Sequence, residues 1–505
     1  MAEDDMTAVL VPYIHRGSLP SLMFHGTPLL SPSAVMTAVL LPLLSFAQIT
    51  FERHYGGESA DAGFCVQQTA DSGYIVVGTT LSYGAGFYDG WLVRTDARGE
   101  TLWTCAYGGT TGDYFYGIEN ATGGGFLVVG NTGSFGAGGT DVWLVRTDLH
   151  GDSLWTKTYG GTGWDGATSL HPTADSGYVI AGHTSSLGAG EYDGWLLKVD
   201  ASGETLWTKT YGGTGTDRTY SVDVTSDGGF ILTGFYDLSG PLGGDLWLIR
   251  TDSLGDTVWT RILPAPGHDA GYRVEETEDG GYIVVGATSS FGAGNYDLWL
   301  LRFDARGDTL WTKTYGGSDW DEGRDVRQLS DGGFVVVGWR QTRPPEPGPA
   351  WLIRTNAEGD TLWTRNFVGT GGAQGWSLQV TADGGFVIAG SASVSIIDVY
   401  LAKTDEEGLL SIAEPKSSVS SPAGFRLSCH PNPCRGVTEL QLSGRQPTAA
   451  ASIRLFDEQG RLVRSVSGIQ SWPFQLELGL LPAGAYFVRL DGGQYQTGRV
   501  IVLER

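Results

Sequence analysis

Cysteine is scarce in this chain, four residues in 505, which excludes a disulfide-dense scaffold. Basic charge is scarce as well. Lys and Arg number 32 against 56 Asp and Glu, a net charge of -24. That balance argues against nucleic acid as a partner, because such affinity rests on cationic side chains. Proline is held to 20 while glycine reaches 78, with no collagen-like period. Long apolar runs are missing except Ala34–Ala47 (AVMTAVLLPLLSFA), which is shorter than the ~20 residues a membrane-spanning helix needs. No segment has helical periodicity of useful length. Enzyme signatures are missing too: no Gly-x-Ser-x-Gly elbow, no His-Glu-x-x-His and no Gly-Lys-Ser/Thr phosphate loop.

The apolar run closes on Ser45-Phe46-Ala47, small residues at -3 and -1, and reads as a secretory signal cleaved after Ala47. Its basic leader is poor within residues 1–35, and a translation start at Met36 would account for that. A buried helix or a disordered tail is the competing reading of such a run.

What the chain does have is aromatic residues (17 Trp, 21 Tyr, 19 Phe) and strict repetition. A Gly-aromatic-aliphatic run starts at Gly73 (GYIVVG) and recurs at Gly125, Gly177, Gly229, Gly281, Gly333 and Gly385, each 52 residues on. A WLVR-like run starts at Trp91 and keeps that spacing to Trp351, with Tyr400 closing the series. An LWT-like run carries Trp103, Trp155, Trp207, Trp259, Trp311 and Trp363, and its register reaches back to Phe51. These runs are rich in β-formers and bounded by turn residues, so each unit predicts four short strands, with the first near Ser169–Pro172 in the unit from Asp165. Asp-Gly-Gly or Asp-Ser-Gly makes the first turn, and Asp-x-x-Gly-Asp/Glu the third. Seven such units predict an all-β, seven-bladed β-propeller over residues 48–410. The body opens on a fourth-strand segment (Ile49–Tyr55) and ends on a third-strand one (Val399–Asp405), so the first segment is expected to complete the last blade and remove an open edge.

The order DGGYIVVG then WLxRTDxxGDTLW resembles kelch-like and quinoprotein-like propeller repeats, closest to those of secreted bacterial propellers. The resemblance implies fold and leaves activity open, since propellers host many functions. No cofactor signature accompanies it, so no cofactor is expected.

After Leu410 the repeat stops. Residues 411–421 lie in a Ser/Pro-rich linker, and residues 422–505 predict a small antiparallel β-sandwich with nine Arg, no Lys and six acids. His430-Pro431-Asn432-Pro433, LFDEQGRLV from Leu455, LPAGAYFVRL from Leu481 and TGRVIVL from Thr497 resemble the C-terminal sorting domain of type IX secretion. That resemblance implies the type IX machinery as a partner and a secreted or outer-membrane, cell-surface location, with no transmembrane segment in the mature chain. The competing reading is an ordinary accessory sandwich. Cys429 and Cys434 flank the HPNP turn, and an oxidising compartment would allow them to bridge. Cys65 and Cys105, on the first and fourth strands of one blade, are too far apart to pair.

Two groups of residues are candidates for function. On the face carrying the longer loops stand Trp164, Trp320, Trp339, Arg340 and Arg343, the last three in a segment that breaks the repeat (339–350). Exposed aromatics on a rigid face suit stacking against sugar rings or aromatic side chains, and packing over the rim is the plainer alternative. On the first strands, Gln67, Glu119, His171, Asp223, Glu275, Arg327 and Gln379 share one register and are expected to line the central channel. His171 beside carboxylates suits acid–base work, and a solvated wall of mutual ion pairs is the plainer alternative. No metal site is expected, because no close His pair or ligand spacing occurs. The recurring Asp61, Asp113, Asp165, Asp217, Asp269 and Asp321 read as loop caps through backbone hydrogen bonds. The functional expectation is a binding module for polysaccharide or a surface protein. A glycan hydrolase or lyase, or a structural surface component, is the alternative.

Overall fold

The computed structural model describes residues 49–237, 243–341, 348–367, 372–393 and 396–410, together with the strands between 425 and 503. Within residues 49–410 the described elements are all strands, paired as seven four-stranded antiparallel sheets. Each blade takes its strands in chain order, so blade 3 runs Asp165–Pro172, Tyr178–Thr184, Asp193–Val199 and Thr205–Tyr211. Blade 7 is the exception. Ala373–Val380, Phe386–Ser393 and Ile397–Thr404 accept Phe51–Tyr55 as outer strand, with Phe51 opposite Lys403 and Tyr55 opposite Val399. The ring is closed by the first segment of the body, as the order of the repeats predicts.

Burial follows from position in the blade. Second and third strands pack on neighbouring blades through both faces and can be buried throughout, as in Tyr74–Thr80 and Asp89–Thr95. Outer strands alternate, as in Thr309–Tyr315, because one face meets water. The Arg or Lys of the WLVR-like run is buried and reaches the Asp of its own first turn: Arg94 to Asp71 at 2.6 Å, Lys198 to Asp175 at 2.9 Å, Lys403 to Asp383 at 3.0 Å. Blade 2 has Thr122-Gly123-Gly124 at that turn, and Arg146 donates instead to the carbonyls of Thr122 and Gly124.

The third turns join blades. Gly255 adopts φ +78°, and a Cβ there would lie 2.8 Å from the ring of Trp207 on the preceding blade. Tyr211 of that blade donates its hydroxyl to the Gly255 carbonyl at 2.7 Å. Tyr55 to Gly99 and Tyr159 to Gly203 repeat the bond at 2.7 and 2.6 Å. The LWT tryptophan, the terminal tyrosine of the outer strand and the turn glycine therefore form one inter-blade clasp.

Beyond 424 the strands form two antiparallel sheets. One orders Phe425–His430, Val437–Gly444 and Phe474–Glu477; the other orders Leu462–Ile469, Ala451–Phe456, Gly484–Gly492 and Tyr495–Leu503. Alternation in the sequence marks five of these seven strands, near 438–443, 451–457, 461–466, 474–478 and 485–490, and the structure adds the first and the last. Residues 1–47, the linker and the Cys429–Cys434 pairing lie outside the described residues.

Candidate functional site

The first strand of blade 3 begins at Asp165, upstream of the Ser169 expected from alternation. The difference has a single cause: a β-bulge. In all seven first strands the register slips across one residue, as between Gly63 and Cys65 or Ala167 and Ser169. A bulge re-aims the extra side chain. The seven bulge residues are Phe64, Tyr116, Thr168, Tyr220, Tyr272, Arg324 and Trp376, and all of them line a central cavity of about 900 Å³. They form a collar that the sequence reading missed, because these positions fall out of phase with the channel-facing alternation.

The collar is largely aromatic. Phe64 lies 5.1 Å from Tyr116 and 5.5 Å from Trp376 between ring centres, and Tyr220 lies 5.5 Å from Tyr272. Arg324 bridges Tyr272 and Trp376, its guanidinium 4.2 and 4.3 Å from the two rings, and pairs with the buried Glu322. Only Thr168 is small, and its hydroxyl donates to the Tyr220 carbonyl at 2.7 Å.

Past the collar the expected polar ring is present: Gln67, Glu119, His171, Asp223, Glu275, Arg327 and Gln379 all line the same cavity. Its two halves differ. On blades 5 and 6, Arg327 contacts Asp325 at 2.9 Å and Glu275 at 3.4 Å, and Arg273 lies 3.6 Å from Asp325. Burial opposes the Arg327 charge, yet Asp325 and Glu275 outweigh it and raise its pKa. On blades 2 to 4, Glu119 accepts from the Gln67 amide at 2.9 Å and makes no ion pair among the described residues. Burial pushes the Glu119 and Glu275 carboxyls up. His171 Nε2 lies 3.2 Å from Arg273 Nη2. A guanidinium can only donate, so Nε2 accepts and Nδ1 carries the proton, facing Asp223 Oδ1 at 3.7 Å. Burial, then the Arg273 charge, lowers the His171 pKa to about 4, leaving the ring neutral. Among the described residues no group of three or more His, Cys, Asp or Glu is placed to hold a metal ion.

On the loop face, the second-to-third loop of one blade is zipped to the connection entering the next. Gly139 N donates to Gly163 O at 2.8 Å and Glu191 N to Gly215 O at 3.0 Å. The Asp series caps these connections as read from sequence: Gly57, Gly109 and Gly161 donate to Asp61, Asp113 and Asp165 at 2.8–2.9 Å. Trp164 and Trp320 share a register but differ in setting. Trp320, 39% exposed, stacks on Tyr296 at 4.6 Å and faces Trp339 at 6.3 Å. Trp164 pairs with Thr140, whereas Trp320 pairs with Tyr296. It lies against Gly139, where a Cβ would come 2.7–3.1 Å from three atoms of the indole, and it stays 59% exposed. Trp339 and Arg340 end the second strand of blade 6 (Phe334–Arg340) rather than standing in a loop, because Trp339 continues the ladder opposite Ala350. Arg340 is turned onto Trp351, 4.9 Å from its ring. Arg343 lies outside the described residues. The aromatic series continues from Trp320 through Tyr296, His268 and Phe235 to Tyr220 in steps of 4.6–6.2 Å, so it runs from rim to collar.

This architecture, followed by its C-terminal sheets, defines a seven-bladed β-propeller with a type IX sorting domain, a chain for the cell exterior or surface. Residues 428–504 match the Por_Secre_tail family, the secretion system C-terminal sorting domain. Over 243 residues the chain is 28% identical to the regulatory protein FlaEY of Caulobacter vibrioides, an overlap covering 42% of this chain and 25% of that protein. Among solved structures it is similar to PorZ, a bacterial surface component of the type IX secretion system of Porphyromonas gingivalis. That match has 12% identity and a TM-score of 0.41, and covers 86% of this chain and 59% of PorZ. Sqt1 from Chaetomium thermophilum matches at 11% identity and a TM-score of 0.42, covering 90% of this chain and 100% of Sqt1. The chain thus spans about a quarter of its curated relative and under two thirds of PorZ.

Proposed function

We propose that the propeller is an extracellular binding module whose ligand is a polysaccharide held on the loop face. The observation carrying this reading is Trp164, a large indole seated on Gly139 with most of its surface in water. Leaving so large an apolar side chain exposed forgoes roughly 2–3 kcal/mol of burial, and a rigid, half-open indole matches the apolar face of a sugar ring. The hydrogen-bonded loops beneath it keep the platform pre-organised, which lowers the entropic cost of binding. The test is a binding screen of the secreted chain against polysaccharides, with Trp164→Ala and Trp320→Ala as probes. Loss of binding in a variant that melts like the wild type supports the module. Binding of a cell-surface protein alone, untouched by both variants, overturns it.

A second reading, a glycan hydrolase or lyase, has one observation in its favour: burial raises Glu119 and Glu275, the direction a general acid requires. Release of shortened glycan by the wild type, abolished in Glu119→Gln, would establish it over simple binding.

A further inference from the structure

Resting on that reading, we infer that the central channel is a second subsite, one that takes the end of a neutral polysaccharide chain through the notch at Thr168. Six of the seven collar positions carry an aromatic ring or a guanidinium sandwiched between rings, and blade 3 alone carries a small side chain, Thr168. The same strand begins immediately after Trp164, and four residues of strand, ~13 Å, separate that indole from the notch. Tyr116 and Tyr220 stand on the blades either side of Thr168, offering rings to a sugar passing between them.

What lies beyond the notch selects the chemistry. The guanidiniums of the channel are already engaged: Arg324 with Glu322, Arg327 with Asp325 and Glu275, Arg273 with Asp325. An anionic ligand would meet no unpaired guanidinium among the described residues there and would face Glu119 and Asp223. A metal cation would lack a ligand cluster among the described residues. Hydroxyl groups, which donate and accept, suit what remains on blades 2 and 3: Glu119 as acceptor and the His171 Nδ1 proton as donor. A cavity of about 900 Å³ falls within the range of small-ligand sites. Seven inner strands surround it, so a polymer enters by its tip and not along its length.

The test uses the full secreted chain in calorimetric titrations with neutral β-glucan and mannan hexasaccharides and their parent polymers. Thr168→Tyr closes the notch with the residue that blades 2, 4 and 5 carry in this register, so the propeller has a precedent for it. Glu119→Gln leaves the notch open and weakens the acceptor. For a hexasaccharide the wild type binds, Thr168→Tyr is expected to weaken affinity at least tenfold and Glu119→Gln several-fold, with melting unchanged. The number of proteins bound per polymer chain should also stay constant as the chain lengthens. If Trp164→Ala abolishes binding while Thr168→Tyr and Glu119→Gln bind like the wild type, the surface reading survives and the channel subsite is overturned. Stoichiometry rising with chain length overturns it equally. No binding of any glycan by the wild type overturns both.

Discussion

Gly139 is a residue whose role is visible only through its neighbour. Nothing in the Gly-rich loop between Gly133 and Thr140 marks it, yet its missing side chain is the seat of the Trp164 indole. Gly139→Ala should therefore displace that ring. We expect glycan binding to fall as it does in Trp164→Ala, with global stability changed by less than about 1 kcal/mol because the site is on the surface. Titration of the variant, beside its melting curve, checks this. His171 supplies a prediction in pH. Its pKa is lowered in the fold to about 4 from the usual 6.5. Well above pH 6.5 neither the folded nor the unfolded ring is charged, and no penalty exists. As pH falls from 6.5 toward 4, the unfolded chain binds a proton that the folded chain refuses, so stability is lost, by up to about 3 kcal/mol. His171→Gln lacks this loss. Its melting temperature relative to the wild type should rise between pH 7 and pH 4.5, and a flat difference would contradict the assignment.

Among elements, the third turn of each blade is the informative one. Its Asp-x-x-Gly-Asp pattern is legible as a turn: Asp304 accepts from the backbone N–H of Arg306 and Asp308 at 2.8 and 2.9 Å, and Gly307 takes φ +77°. That the turn also receives the Trp and Tyr of the preceding blade is not legible, because the partners come together only when blades pack side by side. Gly255→Ala combines a left-handed backbone with a collision against Trp207 and should cost about 2–4 kcal/mol, measurable by denaturant titration. Loss no larger than that of a surface loop glycine would show that the clasp carries no stability. The bulged first strands teach the same lesson. Alternation assigns Gln67, Glu119 and His171 to the channel, and all three line the cavity. The same alternation sends Phe64, Tyr116 and Tyr220 to the opposite face, and one extra residue per strand reverses that.

For the whole molecule, export and recognition reside in different parts of the chain. The sorting domain matched over residues 428–504 addresses the chain to the exterior or surface. Deleting residues 422–505 should leave the propeller folded but retained inside the outer membrane, and cell fractionation with a melting curve of the retained species reads both. Appearance of the truncated chain in the medium at wild-type level would assign export elsewhere.

Sequence by itself determined the blade count, the strand order, the exchange that closes the ring and the sorting domain. These follow from spacing and local turn chemistry, which repetition amplifies sevenfold. It also placed the polar ring in the channel, since strand alternation is a local rule. Tertiary structure alone decided that Trp320 and Trp339 come together while Trp164 stands apart, that Arg340 is turned onto Trp351, and that a collar with one small member, Thr168, lines the channel. Each of these depends on what the neighbouring blade presents at the same height, a contact between residues distant in the chain that no local pattern encodes.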